Sequence, residues 1–364
     1  MSRVVKEQEL RDLAIGATFM AAGGGGSPVN GMQLIDELVT KGRAEVTLID
    51  TKEMKDDECS VMVVEFGSPK AMLEAESFPE LVTSFTKLQQ IAPESGLKIS
   101  TIFSGEMGGL NTITGMYTAA LKGVPFVDAD GQGRAVPELN TCLFHINDIP
   151  HSPFVLAGYT GDAVVAYLND RMDFRAAENI ARNMTMAYGQ RAGFAGILVN
   201  REKMEKLVPK SVTTAINVGK AFREAEDFAG LSEALGEIVD ARELFRGKIA
   251  KIEIKSVGGF DFGVTSLEGV GTYAGQSRTI GYKNENMLMR DESGKVLVTV
   301  PDLIITVDLD ELQPQTNADT KEGQNVAVFG VRAAEAWFRT PLGFTVWKEI
   351  LEKLDYHGEY MPVK

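Results

Sequence analysis

Val124-Pro-Phe-Val-Asp-Ala-Asp-Gly-Gln-Gly-Arg-Ala-Val-Pro-Glu-Leu139 decides how the rest of this chain is read. Val124, Phe126 and Val127 form an apolar run short enough to be a buried strand. Asp128 and Asp130 follow, then Gly131 and Gly133, then Arg134 and Glu138. Acids at i and i+2 of an extended chain point the same way. Glycines let the backbone turn sharply and approach a ligand closely. In an open α/β sheet, ligands bind beyond the carboxyl ends of the strands. An ordinary Asp-Gly turn with solvated charges is the competing reading.

Three earlier segments of similar make-up favour the ligand site. The first is Gly23-Gly-Gly-Gly26 followed by Ser27. Backbone N–H groups free of side chains, set before a helix, make an anion-binding concavity. The stretch has no Gly-Lys-Ser/Thr ending and follows a helix, so no nucleotide is expected there. Gly24, Gly25, Gly26 and Ser27 are expected to approach a carboxylate or ring carbonyl of a small substrate, a flexible connector being the alternative. The second segment is Val63-Val-Glu65-Phe-Gly-Ser-Pro69 and the third is Phe103-Ser-Gly-Glu106-Met-Gly-Gly-Leu-Asn111. If the strands run parallel, Glu65, Glu106, Asp128 and Asp130 meet along one edge. Carboxylates gathered in a cleft push a pKa upward by mutual repulsion, which suits acid–base work or a divalent cation.

The wider pattern is α/β. Helical periodicity marks residues 7–20, the segment from Met32 to Leu38, 79–91 and 112–121; strand candidates are 44–50, 60–65, 97–103 and 124–127. Strands interleaved with helices predict a mostly parallel three-layer domain over residues 1–168. A boundary is placed near Asn169–Asp170. Beyond it, helices are expected at 174–188, 213–229 and 231–245, then alternating strands at 248–257, 260–267, 279–289, 295–299, 303–308 and 324–329. Helices at 331–337 and 344–354 close the chain. Residues 169–364 thus read as an α+β domain with an antiparallel sheet or sandwich.

Composition narrows the function. Hydrophobic residues make up 44% and charged residues 24%, as in a globular protein. A net charge of -14 opposes nucleic acid or an anionic membrane surface as partner. No window reaches a membrane span, and Met1–Leu10 lacks a leader's apolar core, so a cytoplasmic location is expected. Symmetric oligomers are common among enzymes of this size, and a homo-oligomer is expected. Cys59 and Cys142 make neither a disulfide framework nor a thiolate zinc site. With only three histidines, a metal site must be rich in carboxylates: Asp128 and Asp130 with His145 is the candidate set for one divalent ion such as zinc. A packing role among aromatics is the alternative for His145 and His151. Gly281-Tyr-Lys-Asn-Glu-Asn286 reads as a strand with Lys283 and Glu285 on one face and Tyr282, Asn284 and Asn286 on the other.

Taken together, Ala22–Pro28, Glu106–Asn111, Val127–Leu139 and Tyr282–Asn286 resemble the S-methyl thiohydantoin desulfurase family, over about residues 8–352 and both of its domains. Gln132 stands where Met is common and Val136 where Phe is common; neither change alters an ionisable group. The resemblance implies a small five-membered ring bearing sulfur on the carbon between its two nitrogens, and release of that sulfur to leave a hydantoin. On chemical grounds, a carboxylate among Asp128, Asp130 and Glu65, or a metal held by Asp128 and Asp130 with help from Glu65 or His145, would activate water, and Glu106 would protonate the departing sulfur or ring nitrogen. Gly24–Ser27, Asn111, Arg134 and Glu285 would hold the ring. Nucleotide-dependent hydantoin or oxoproline chemistry, and a non-catalytic partner subunit of a hydantoinase, are the alternatives.

Overall fold

The computed structural model describes residues 2–67, 71, 72 and 74–364. Two sheets share one molecule. Among the described residues the first has nine strands: β1 (Arg3–Lys6), β2 (Glu45–Ile49), β3 (Cys59–Gly67), β4 (Ile99–Ser104), β5 (Phe126–Asp130), β6 (Phe154–Ala157), β7 (Ala163–Ala166), β8 (Arg191–Asn200) and β9 (Val208–Pro209). Their order is β1-β2-β5-β4-β3-β8-β6-β7, with β9 beside β5. The expected parallel sheet is the run β2-β5-β4-β3; the flanking pairs are antiparallel, so the sheet is mixed.

Strand β3 shows why the sheet is buried on both faces. Val61 and Val63 enter a core with Leu81, Phe85, Ile113 and Phe126, whereas Met62 and Val64 enter a second core with Phe103, Phe144 and Phe154. Each such side chain contributes roughly 1.5–3 kcal/mol on full burial. The second core continues to Leu303, Ile305 and Phe329, so it belongs to both sheets. Strand β8 comes from beyond residue 168 yet lies between β3 and β6. The nine-stranded sheet therefore takes in strands from either side of that position. Its Ala192–Val199 run carries no alternation because nearly all of it is buried, and the sequence reading leaves it unassigned.

Helices α1 (Glu7–Met20), α2 (Pro28–Thr40), α3 (Pro79–Ile91) and α4 (Asn111–Lys122) cover the first core. Further on come α5 (Leu143–Ile146), α6 (Phe174–Ala187), α7 (Arg201–Met204), α8 (Ser211–Glu224) and α9 (Phe228–Val239). The helix expected to run to residue 245 stops at Val239, because the chain enters a strand at Arg242. Helices α1 and α8 approach on bare backbone. A Cβ on Gly16 would stand 1.7 Å from Ala215 O, and one on Gly219 would stand 1.7 Å from Asp12 O. Asp12 also accepts from Arg223 Nε at 2.8 Å. This contact joins the first helix of the chain to one from its second half.

The second sheet is wholly antiparallel: β10 (Arg242–Val257), β11 (Phe260–Gly269), β12 (Ser277–Lys283), β13 (Glu285–Asp291), β14 (Val296–Thr299), β15 (Leu303–Asp308), β16 (Gln313–Gln315) and β17 (Asn325–Val331), in the order β14-β13-β12-β11-β10-β17-β15-β16. The single strand expected over 279–289 is two. Asn284, with φ +56, reverses the chain between Lys283 and Glu285, which face each other across the ladder. Asparagine is among the few side chains that tolerate this region. The helix expected at 331–337 is reduced to a 3-10 turn at Glu335–Phe338. Among the described residues no helix is long and apolar enough to cross a membrane.

Candidate active site

The carboxyl ends of β4 and β5 are stitched together. Gly131 N donates to Ser104 O at 3.0 Å and Met107 N to Arg134 O at 3.3 Å. A Cβ on Gly131 would stand 2.2 Å from Gly105 O, so only glycine allows this approach. The stitching sets Glu106 at the seam. Its carboxylate accepts from Asn111 Nδ2 at 2.7 Å and Val136 N at 2.8 Å. Burial pushes Glu106 up to about 7; the two donors pull it down and Asp130 pushes it up.

Asp130 is fully buried, and its Oδ2 accepts from Gln132 N at 2.8 Å and Gly133 N at 2.7 Å. Burial pushes it up to about 7 against those two donors. It holds the glycine turn in shape and adds a charge beside Glu106. Asp128 has other work: its carboxylate accepts from Thr213 N at 2.9 Å and Thr213 Oγ1 at 2.7 Å, with Lys210 Nζ at 3.4 Å. It anchors the start of α8.

The second half of the chain supplies the next acid. The Asn284 turn reaches the tetraglycine, with Asn286 N donating to Ala22 O at 2.9 Å and Asn317 N to Gly23 O at 2.8 Å. This places the buried Glu285 carboxyl against Gly24, where a Cβ would stand 2.0 Å from its Oε1. Glu285 Oε2 is buried with no partner among the described residues. Burial pushes Glu285 up to about 8, helped by repulsion from Glu106 and opposed by Arg134. Two acids that repel each other, one with two donors and one with a bare oxygen, divide into a carboxylate and a proton holder.

The tetraglycine owes its composition to this packing. Gly23, Gly25 and Gly26 have φ of +93, +71 and +77. A Cβ on Gly25 would stand 2.4 Å from Gly108 Cα, and one on Gly26 would stand 2.7 Å from Leu110 Cβ. Ser27 caps α2 through Val29 N at 3.3 Å and donates to Asp319 at 3.3 Å. The N–H groups of Gly25, Gly26 and Ser27 bond to no acceptor among the described residues.

Several expected roles move. The guanidinium of Arg134, expected to hold a ligand, is taken up by backbone and lies 5.1 Å from the centroid of the Trp347 ring. It is fully buried and donates to Ala135 O at 2.9 Å, Pro301 O at 2.9 Å, Asp302 O at 3.1 Å and Asn286 O at 3.2 Å. Four of its five N–H donors are thus spent on backbone, fastening the two halves together. Glu65 does not join the other acids, because its buried carboxyl faces Glu80 and stands 3.9 Å from Arg191. Burial, then Glu80, raises it. The turn expected at Ser68–Pro69 lies outside the described residues. His145 packs edge-on against Phe174, ring centroids 4.3 Å apart, as does His151 at 4.1 Å. Among the described residues no three His, Cys, Asp or Glu side chains group as cation ligands. The set Asp128, Asp130 and His145 therefore does not fit a metal, since each member is committed to a different neighbour.

Sequence reasoning placed Asn111 in the site but missed its task of orienting Glu106. It also missed the Val136 N–H, which no side-chain pattern announces. Two open surface clefts, one beside Phe228 and Arg246 and one beside Val82 and Tyr117, are not lined by these acids.

Residues 8–167 match the family model "S-Me-THD-like, N-terminal domain" and residues 171–360 match "S-Me-THD-like, C-terminal domain". The crystal structure of a protein from Chromobacterium violaceum is similar at 24% identity and a TM-score of 0.86, each chain covered over 100% of its length. That likeness concerns the fold. No curated protein matches the chain.

Proposed function

Because the chain belongs to the S-Me-THD-like family, that of S-methyl thiohydantoin desulfurase, we propose that it hydrolyses the carbon–sulfur bond of an S-alkylated thiohydantoin, using Glu106 as general base and Glu285 as general acid. The observation that carries this reading is the electrostatic coupling of these two carboxyls, one from each family domain, with opposite hydrogen-bond environments. The donors on Glu106 favour its charged form; the bare Oε2 of Glu285 favours the protonated one.

Glu106 takes a proton from water, whose oxygen attacks the ring carbon between the nitrogens. Glu285 gives its proton to the ring nitrogen as the C=N bond opens, leaving a carbon bonded to two nitrogens, one hydroxyl and one sulfur. The C–S bond then breaks. The thiolate takes the proton from Glu106, and the new hydroxyl returns one to Glu285 as it becomes the carbonyl. One water is consumed; hydantoin and thiol leave. The free N–H groups of Gly25, Gly26 and Ser27 suit a ring oxygen. A desulfurase-type function rests on the family.

The test is thiol release from an S-methyl thiohydantoin, measured with and without chelator. Stoichiometric hydantoin and methanethiol support the proposal. Saturable ligand binding without release would favour a non-catalytic partner of a hydantoinase instead.

A further inference from the structure

Glu138 and Leu139 end the loop that presents Val136 N–H to Glu106, and both are tied to the second half of the chain. Glu138 forms an ion pair with Lys283, whose side chain is 1% exposed. Leu139 N donates to Glu178 at 3.1 Å, and Glu178 pairs with Arg182 at 2.6 Å. The two cations converge on one ring. Lys283 Nζ lies 3.9 Å and Arg182 Cζ 4.0 Å from the Phe260 centroid. Phe260 follows Gly258 and Gly259, whose φ of +61 and +81 turn the β10–β11 hairpin tightly enough to bring it there. The path leaves the loop at residue 138, crosses the aromatic ring and returns at residue 139. Lys283 also immediately precedes the turn that carries Glu285 and is that acid's partner across the ladder.

Resting on the reading of Glu106 and Glu285 as the acid–base pair, we propose that Lys283 is a positioning residue. Its bond to Glu138 holds the Val136 loop, and its place in the hairpin holds Glu285, so one cation fixes both supports of the pair. Among the described residues, the charged groups around Lys283 are Glu138, Glu285, Glu349 and Lys353, with Arg182 on the same Phe260 ring. An ion pair enclosed against aromatic rings is screened less than a surface pair and loses more when one member is removed.

The test compares Lys283→Met, Lys283→Arg and Glu138→Gln with the parent by carbon NMR of carboxyl-labelled glutamate. Glu106 and Glu285 signals are assigned from their Gln variants, and thiol release is followed against pH. Lys283→Met should raise the titration midpoints of Glu285 and Glu106 by about one pH unit each and carry the pH–rate profile with them. Lys283→Arg should restore both in part. Glu138→Gln, at a partly exposed position, should raise Glu106 alone, since Lys283 remains beside Glu285. Unmoved midpoints in Lys283→Met and Glu138→Gln, with only a lower melting temperature, would overturn the proposal. Midpoints that move as stated in a protein releasing no thiol would leave the positioning role standing and sink the catalytic reading.

Discussion

Burial and then the carboxyl of Glu106 raise the proton affinity of Glu285, an acid carried by the Asn284 turn of the other sheet. With Glu106 pushed up to about 7 and Glu285 to about 8, the productive state has the first ionised and the second protonated. Thiol release should therefore climb as pH rises through about 7 and decline as it rises through about 8. Glu106→Gln and Glu285→Gln should each lower kcat by roughly 10²–10⁴-fold. Steady-state rates between pH 5.5 and 9.5 decide this, and a flat profile would contradict the assignment.

The same acid has a thermodynamic signature. Glu285 holds its proton to about 8 when folded, against an ordinary 4.5. Its contribution to stability is complete below pH 4.5 and is lost as pH rises through 8. Glu285→Gln mimics the protonated form. The variant should lose less melting temperature than the parent between pH 5 and 9, as calorimetry can establish.

Asp128 is bound by Thr213 and Lys210 at the start of α8. Asp128→Ala should cost about 1–2 kcal/mol of stability, as for a lost helix cap, while kcat stays within about twofold. Urea unfolding and turnover measured on one preparation separate the two effects. A collapse of kcat in a stable variant would return Asp128 to the chemistry.

Gly25→Ala should damage stability more than a surface change does. The new Cβ would meet Gly108 Cα at 2.4 Å and Met107 O at 2.5 Å, on a residue whose φ is +71. Left-handed strain and overpacking each cost about 1–3 kcal/mol. Thermal unfolding should show a fall of several degrees. Gly42→Ala, with no atom within 4 Å of the added carbon, isolates the cost of φ +62 alone.

Below neutral pH two histidines oppose the folded state. Burial holds His151 down to about 3 and also lowers His145. A depressed folded value means that stability is present above 6.5 and is lost as pH falls from there toward 3. His151→Phe should flatten this acid limb by on the order of 3 kcal/mol, which unfolding curves from pH 4 to 7 would register.

Where side chains alone set the outcome, the sequence is readable. The helix at Pro79–Ile91 and the strand at Ile99–Ser104 follow from periodicity and flanking breakers, and the Gly-rich acid segments point to Glu106 and Asp130. What escapes is decided by neighbours distant in the chain. Glu65 looks like Glu106 locally, but it meets Arg191 and Glu80 instead of the seam. Arg134 looks free for a ligand until four backbone carbonyls claim it. The Asn284 reversal hides within an alternating pattern because one left-handed residue changes direction without changing polarity.

Strand β8 has a consequence for biosynthesis. It lies between β3 and β6, both encoded earlier, so the first sheet cannot close when its early strands emerge. The hairpin of β6 and β7 must wait, apolar and unseated, until residues 191–200 have been synthesised. During that interval the nascent chain exposes an edge that other chains could join. A gene split at residue 168 would make the interval permanent. Its first fragment is expected to aggregate rather than fold, and to become soluble only when the second fragment is made beside it.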